Sequence, residues 1–326
     1  MNSFGRIFRV SLFGESHGCC AGICIDGCPP GISLSESDFE FDMSRRRSGA
    51  QGTTPRKEAD IPRIMSGVFN GFTTGSPILL MVDNTNTRSH DYSQFCDVPR
   101  PGHADFVAGK KYKGFADYRG GGHFSGRLTT GIVMAGVVAK KIIHPVVVGS
   151  RIIEIGGKTE WQAIIEQCVA EHDSVGGIVE CTVENIPVGW GEPFFDSVES
   201  LVAHAVFSVP AVKGIEFGAG FAAARMRGSE HNDAFAGKTG LTLTNHAGGV
   251  NGGITNGNPI VFKVAIKPTS SIARPQQTAN IRTGETVCLE TPGRHDACIT
   301  LRVPPVLEAV TAISLADLKM VYEASQ

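Results

Sequence analysis

A chain of 326 residues with 41% apolar and 19% charged side chains and a formal net charge of −2 is long enough for one large core or two smaller ones and has no basic excess, which excludes a general nucleic-acid or polyanion binder. No apolar run approaches the ~20 residues of a membrane span, and the opening Met1-Asn2-Ser3-Phe4-Gly5-Arg6 lacks the apolar stretch of a signal peptide, so a cytoplasmic protein without a membrane partner is expected. Nine cysteines with no C-x-x-C pair read as reduced thiols, with neither a disulfide frame nor a metal site.

In chain order, residues 7–13 and 21–25 read as strands on either side of Gly14-Glu15-Ser16-His17-Gly18. That pentapeptide matches the G-x-S-x-G elbow of serine hydrolases, but an elbow needs a helix after the serine. Residues 19–25 instead alternate and run into Pro29-Pro30-Gly31, a strand and then a turn, so the hydrolase reading is the weaker one. Ser35 caps a helix with Asp38 at the capping-box position and Phe39 and Met43 on one face. The helix ends in Arg45-Arg46-Arg47, cations that the helix dipole alone explains. Residues 50–57 read as a polar loop, 64–82 as strand-like runs broken by Gly71 and Gly75, and 83–98 as a second polar loop.

The chemistry gathers at residues 99–127. Arg100-Pro101-Gly102-His103-Ala104-Asp105 precedes Tyr118-Arg119-Gly120-Gly121-Gly122-His123-Phe124-Ser125-Gly126-Arg127, and consecutive glycines can adopt positive φ and bare their N–H groups to an anion or a flat ligand. The apolar run 132–139 reads as a buried helix whose N-terminus aims at Ser125 and Arg127. The ligand class is a small anionic molecule, and the bland reading is a turn with two surface arginines.

Beyond Pro145, residues 146–155 read as a strand, and 159–171 as an amphipathic helix with Trp161, Ile164, Ile165, Cys168 and Val169 on one stripe. Val179, Cys181 and Val183 alternate with polar residues in a strand with one wet face. A helix over 197–207 and a strand over 212–217 follow. The pattern is α+β with short connections, and it contains no dinucleotide fingerprint or P-loop. A second glycine-rich loop, 245–258, feeds a strand over 260–266 that ends in Lys267-Pro268-Thr269-Ser270-Ser271, where a cation and hydroxyls suit a phosphate. Gly293-Arg294-His295-Asp296 forms another ionisable cluster, and Pro304-Pro305 opens a closing helix.

Taken together and in order, Gly14 to Gly18, Arg100 to Asp105, Gly120 to Arg127, Asn245-His246-Ala247-Gly248-Gly249, Lys267 to Ser271 and Gly293 to Asp296 resemble the motifs of chorismate synthases. The resemblance implies a single domain over residues 1–326 folded as a β-α-β sandwich, a homotetramer, and a lyase that eliminates phosphate from 5-enolpyruvylshikimate 3-phosphate in a 1,4 sense with reduced FMN, NADPH being a possible external reductant. It implies His17 as the acid for departing phosphate, His103 as the group protonating reduced flavin, and Asp296 as the relay for the ring proton. It places Ser16, Arg46, Arg100, Arg127 and Arg294 around substrate, and His123, Phe124, Ser125, Pro210, Ala211, Gly252, Lys267, Pro268, Thr269, Ser270, Ser271 and Arg294 around flavin. The chain departs from the family pattern with His123 in place of an arginine, Ser125-Gly126-Arg127-Leu128-Thr129 in place of Ser-Ala-Arg-Glu-Thr, and Ala297 in place of a proline. A scaffold of the same fold that binds flavin or anions with impaired turnover is the alternative.

Overall fold

The computed structural model describes residues 2–54, 58–86, 92–291 and 295–326. Its first sheet holds β1 (Ser3–Phe4), β2 (Arg9–Gly14), β3 (Cys20–Asp26) and β4 (Arg63–Ile64), then, after a small hairpin of β5 (Val68–Phe69) and β6 (Phe72–Thr73), β7 (Ile78–Asp83). The spatial order is β1-β2-β3-β7-β4, antiparallel at every pairing. A second antiparallel sheet is formed by β8 (Val147–Ile155), β9 (Gly177–Glu184), β10 (Val212–Phe217) and, beyond the hairpin β11 (Val250–Asn251) and β12 (Ile254–Thr255), β13 (Ile260–Ile266), in the order β10-β13-β9-β8. A polar hairpin, β14 (Gln276–Ala279) and β15 (Thr286–Leu289), lies outside both.

Alternation decides which face each sheet buries. Ile23, Ile25, Ile78, Leu80 and Val82 are buried on the first sheet, and Val179, Cys181, Val183, Ile260, Phe262, Val264 and Ile266 on the second. The helices α1 (Glu40–Arg46), α2 (Asp105–Lys111), α3 (Thr129–Ile143), α4 (Gln162–Ala170), α5 (Val198–Phe207), the one-turn α6 (Gly228–His231) and α7 (Pro304–Ser325) complete the chain. α3 lies on the first sheet, α7 and α5 lie on the second, and α3 runs against α7. Helices are thus enclosed between two antiparallel sheets, the expected sandwich.

The seam between α3 and α7 is set by backbone approach. A Cβ built on Gly136 would stand 2.3 Å from the Cβ and 2.5 Å from the Cα of Ala309, so only glycine lets the helices meet there. Gly131, one turn earlier, similarly admits Leu12 and the Gly22 carbonyl of the first sheet, at 2.8 and 2.9 Å from such a Cβ.

Two expectations are refined. The helix entered at Ser35 starts as a 3-10 turn, Glu36–Phe39, with Asp38 Oδ2 accepting from the Ser35 N–H at 2.7 Å, before α1 begins. On α4 only Ile165 is fully buried while Val169 is 46% exposed, because this helix covers a small satellite cluster with Ile155 and Cys298 rather than the main core.

Arg45 is not merely a helix-end cation. Its Nη2 donates to Glu308 Oε1 at 2.6 Å, Ser150 Oγ donates to the same oxygen at 2.8 Å, and Lys140 Nζ donates to Glu308 Oε2 at 3.0 Å. Burial opposes the Glu308 charge, but the hydrogen bond from Arg45, with Lys140 and Ser150 behind it, outweighs that and holds the carboxyl below its usual range. A depressed folded-state pKa stabilises at every pH above the unfolded value and stops doing so as pH falls through the folded one.

Replacing Gly136 by Val is expected to cost about 1–3 kcal/mol by overpacking, read as a lower urea midpoint at unchanged m-value, and Ala309→Gly in the same chain should recover part of it. Glu308→Gln is expected to cost about 1–3 kcal/mol near neutral pH, short of a fully buried pair because Arg45 and Lys140 keep access to water. The same variant should lose less stability than the parent protein between about pH 5 and pH 3, which acid titration of the unfolding midpoint checks.

Candidate active site

A cleft of about 850 Å³ opens where the β2–β3 turn, the end of α1, the glycine loop before α3 and the segments flanking β10 and β13 converge. Ser16, His17, Arg46, Arg100, His103, His123, Phe124, Ser125, Arg127, Pro210, Ala211, Lys267, Pro268, Thr269, Ser270, Ser271 and Asp296 all line it. The sequence-derived candidates therefore meet in one place, with two exceptions. Gly252 sits in the β11–β12 hairpin and does not line this cleft, and Arg294 lies outside the described residues.

The glycine loop owes its shape to positive φ at Gly120, Gly121 and Gly122 (59°, 81° and 53°), which a side chain would resist. At Gly120 close approach matters as well. A Cβ there would come within 2.6 Å of His17 Nε2 and 2.8 Å of Ser16 Oγ. The Ser16 N–H donates to the Gly122 carbonyl at 3.0 Å, so the loop and the β2–β3 turn are locked together. His17, 9% exposed, also packs edge-on against Tyr92 with ring centroids 5.2 Å apart.

His103 is oriented by Asp105. Arg100 forks that carboxylate, with Nε and Nη2 each donating at 2.8 Å, sends Nη1 to Ser271 Oγ at 2.9 Å, and stacks its guanidinium 4.4 Å from the Phe95 ring centroid. With Asp105 Oδ1 2.6 Å from His103 Nδ1, the network assigns the Nδ1 proton to that bond and leaves Nε2 as the ring's other functional atom, facing Gly121. Burial of Asp105 opposes its charge, yet Arg100 and His103 outweigh it and hold the carboxyl well below the usual range.

The opposite wall depends on Asp60, 4% exposed and with a positive φ of 47°. Its Oδ2 accepts from Arg46 Nη1 at 3.0 Å and its Oδ1 from Arg127 Nη1. Arg46 further donates to Thr129 Oγ1 and to the carbonyls of Gly126 and Arg127. Burial first, and then Arg302, push its guanidinium down to about 9, still cationic at neutral pH. Asn84 joins the two walls. Its Nδ2 donates to the Glu15 and Gly18 carbonyls, both at 2.9 Å, and its Oδ1 accepts from Arg127 Nε at 2.8 Å. Asp296 is held by Arg302 Nη1, 3.2 Å from each oxygen, and by the Thr54 N–H at 2.9 Å. Beside it, burial foremost, with Arg100, lowers the His295 pKa, so that imidazole is neutral, and its Nε2 has no hydrogen-bond partner among the described residues.

Asp60, Asn84, His295 and Arg302 carry no role in the sequence reading. Asn84 sits in a stretch read only as polar, Asp60 falls between the stretches that were read, and a buried carboxylate or amide gives no periodic signal. Arg302 pairs with Asp296 six residues earlier across a turn, a spacing that has no helical or strand meaning.

The profile of the family described as chorismate synthase matches residues 8–320. The chain belongs to the chorismate synthase family. It is 62% identical over 326 residues to the chorismate synthase of Chitinophaga pinensis, covering 100% of this chain and 98% of that protein, and 45% identical over 353 residues to that of Dehalococcoides mccartyi, covering 98% and 96%. A crystal structure of a chorismate synthase superposes with a TM-score of 0.74 at 27% identity, covering 98% of this chain and 93% of that one. Family membership makes the protein a carbon–oxygen lyase with a place in aromatic biosynthesis, and the cleft is where its candidate residues gather.

Asp60→Ala would leave two buried guanidiniums facing each other, an expected loss of about 3–5 kcal/mol. Asp60→Asn should lose less, because its amide still accepts one of the two bonds. Chemical denaturation of both variants beside the parent protein checks the order, and equal midpoints for all three would remove Asp60 from its bridging role.

Proposed function

We propose that this cleft catalyses the 1,4-elimination of phosphate from 5-enolpyruvylshikimate 3-phosphate, giving chorismate, with reduced FMN as cofactor. The observation that carries the reading is the convergence of Ser16, His17, Arg100, His103, Arg127 and Asp296 on a single cavity of a size common for small-molecule sites. The cavity also fits a flavin on its own terms. The Thr269 Oγ1 and His295 Nε2 are buried without partners among the described residues, and the bare glycine loop leaves room for a planar ring against backbone. His123, Phe124, Ser125, Pro210, Ala211 and Lys267 to Ser271 would hold the flavin, which when bound supplies the electronic step of the elimination.

The chain's own groups do the rest. His17, pressed against Gly120 at one wall, is the acid that protonates departing phosphate, a role imidazole side chains commonly fill. His103, its Nδ1 tied to Asp105, presents Nε2 toward the flavin. Asp296, held by Arg302 through both carboxylate oxygens, accepts the ring proton. Arg100 and Arg127 give the developing phosphate charge a preorganised positive field in a site shielded from water, and Arg46 supports that field from behind Arg127. Arg294 is proposed for both ligands on the resemblance alone. The protein would act as a single domain and a cytoplasmic homotetramer, with NADPH as an external source of electrons. Gly252, outside its own cleft, would reach a flavin only in the cleft of a neighbouring copy. The exposed Phe194 and Phe195, 86% and 93% accessible, precede the α5 start that bonds to the Gly253 carbonyl of that hairpin, and they favour a surface covered in an assembly.

The hydrolase alternative loses its structural premise, since Ser16 lies in a turn that leads into strand β3 rather than a helix. Anaerobic assay with dithionite-reduced FMN and substrate, following chorismate and released phosphate, tests the proposal. Product is expected only with reduced flavin, and flavin binding without product would favour the non-catalytic scaffold. His17→Ala and His103→Ala are each expected to lower turnover about 10²–10³-fold, within the usual worth of a general acid. Wild-type kcat in folded variants would dismiss both histidines. Arg127→Lys should recover part of the kcat/KM lost in Arg127→Ala, because it keeps the charge without the planar fork.

A further inference from the structure

The charges around the cleft are unevenly matched. Arg46 and Arg127 share Asp60, Arg100 is paired with Asp105, and Arg302 with Asp296. Lys213 and Lys267 also line the cleft, yet among the described residues no carboxylate lies within ion-pair distance of either. They are close enough that Lys213, after burial itself, contributes to lowering the Lys267 pKa. Backbone geometry brings them together. The pairing of β10 with β13 shifts register between Val212 and Gly214, so Lys213 sits in a bulge without a cross-strand partner, a device that re-aims a side chain. Immediately before it, Ala211 adopts a positive φ of 76° and accepts the Lys267 N–H at 2.9 Å. Among the described residues Lys267 Nζ is steadied only by neutral oxygens, the Gly102 carbonyl at 3.0 Å and Ser270 Oγ at 2.5 Å. Two residues from Lys267, the Thr269 Oγ1 is buried without a partner among the described residues.

We infer that Lys213 and Lys267, with the Thr269 hydroxyl, form a seat for a phosphate monoester dianion, and that Lys213 is a binding residue of this protein. Two neighbouring ammonium groups with no counter-ion repel one another until a ligand with two negative charges settles between them. The arginines, by contrast, have committed most of their donors to protein oxygens, so they shape the field while the lysines remain open to bind. The inference rests on the proposed function in one respect: both ligands named there, FMN and the substrate, carry a phosphate monoester, and the seat takes one of them.

The test is calorimetric binding of FMN, of riboflavin, which lacks the phosphate, and of 5-enolpyruvylshikimate 3-phosphate to the intact protein and to its Lys213→Ala, Lys213→Glu and Lys213→Arg variants. If the seat holds the flavin phosphate, Lys213→Ala should weaken FMN about 5–20-fold, in keeping with one partly exposed charge-assisted contact. Riboflavin should be unaffected, Lys213→Glu should be worse, and Lys213→Arg should retain most of the affinity. If the seat holds the substrate phosphate, the same graded loss appears for substrate and not for FMN. Unchanged affinity for both phosphates across the variants, or an equal loss for FMN and riboflavin, would overturn the inference. A parent protein that binds substrate but neither flavin would refute the flavin reading while leaving the seat testable through the substrate series.

Discussion

Much of this site hangs on one carboxylate. Asp60 bridges two buried arginines and is the only carboxylate among the described residues within ion-pair distance of either, and removing it would set like charges together in a region where water cannot screen them. Through Arg46 it ties the end of α1 to the carbonyls of Gly126 and Arg127. Through Arg127 it reaches Asn84 and thereby the turn that carries Ser16 and His17. A loop of glycines has no side chains with which to hold its own shape, so its conformation is imposed from outside by this chain of charge-assisted bonds.

The fold was largely legible from pattern. The alternation in β9 and β13, the apolar run of α3, broken only by Gly136, and the proline entry of α7 are signals that a sequence displays directly. What escaped was small or polar. The two-residue strands β4, β5 and β6 are too short for periodicity, the hairpin β14–β15 offers only Val287 and Leu289 on one face to announce it, and the limited burial of α4 depends on what packs beneath it rather than on its own stripe.

The candidate site divides in the same way. Groups on glycine-rich or motif-bearing loops, from Ser16 and His17 to Lys267 and Ser271, were visible because those residue types have little structural reason to cluster. Their supports were not. Asn84 looks like any loop asparagine until its amide is seen to serve three partners at once, and Lys213 looks like any strand lysine until the bulge turns it toward the cleft. The arginine triplet shows the limit most clearly: three adjacent residues of one kind take three different fates, Arg45 to Glu308, Arg46 to the cleft wall and Arg47 to Glu40, which the helical turn separates but composition cannot.

The crossing of Gly136 with Ala309 bears on how the cleft behaves as an object with a width. Ser16 and His17 ride on the sheet that α3 covers, whereas Ala211, Lys213 and Lys267 ride on the sheet that α7 covers. The jaws of the cleft thus belong to different layers, and the contact that spaces those layers is one of main chain against main chain, with no long side chain between to swing aside or compress. Close-packed seams of this kind resist gradual deformation. The aperture is therefore set from a helix crossing outside the charged groups of the cleft, and a caliper with so stiff a pivot would select what enters by size before any of those groups had to recognise it.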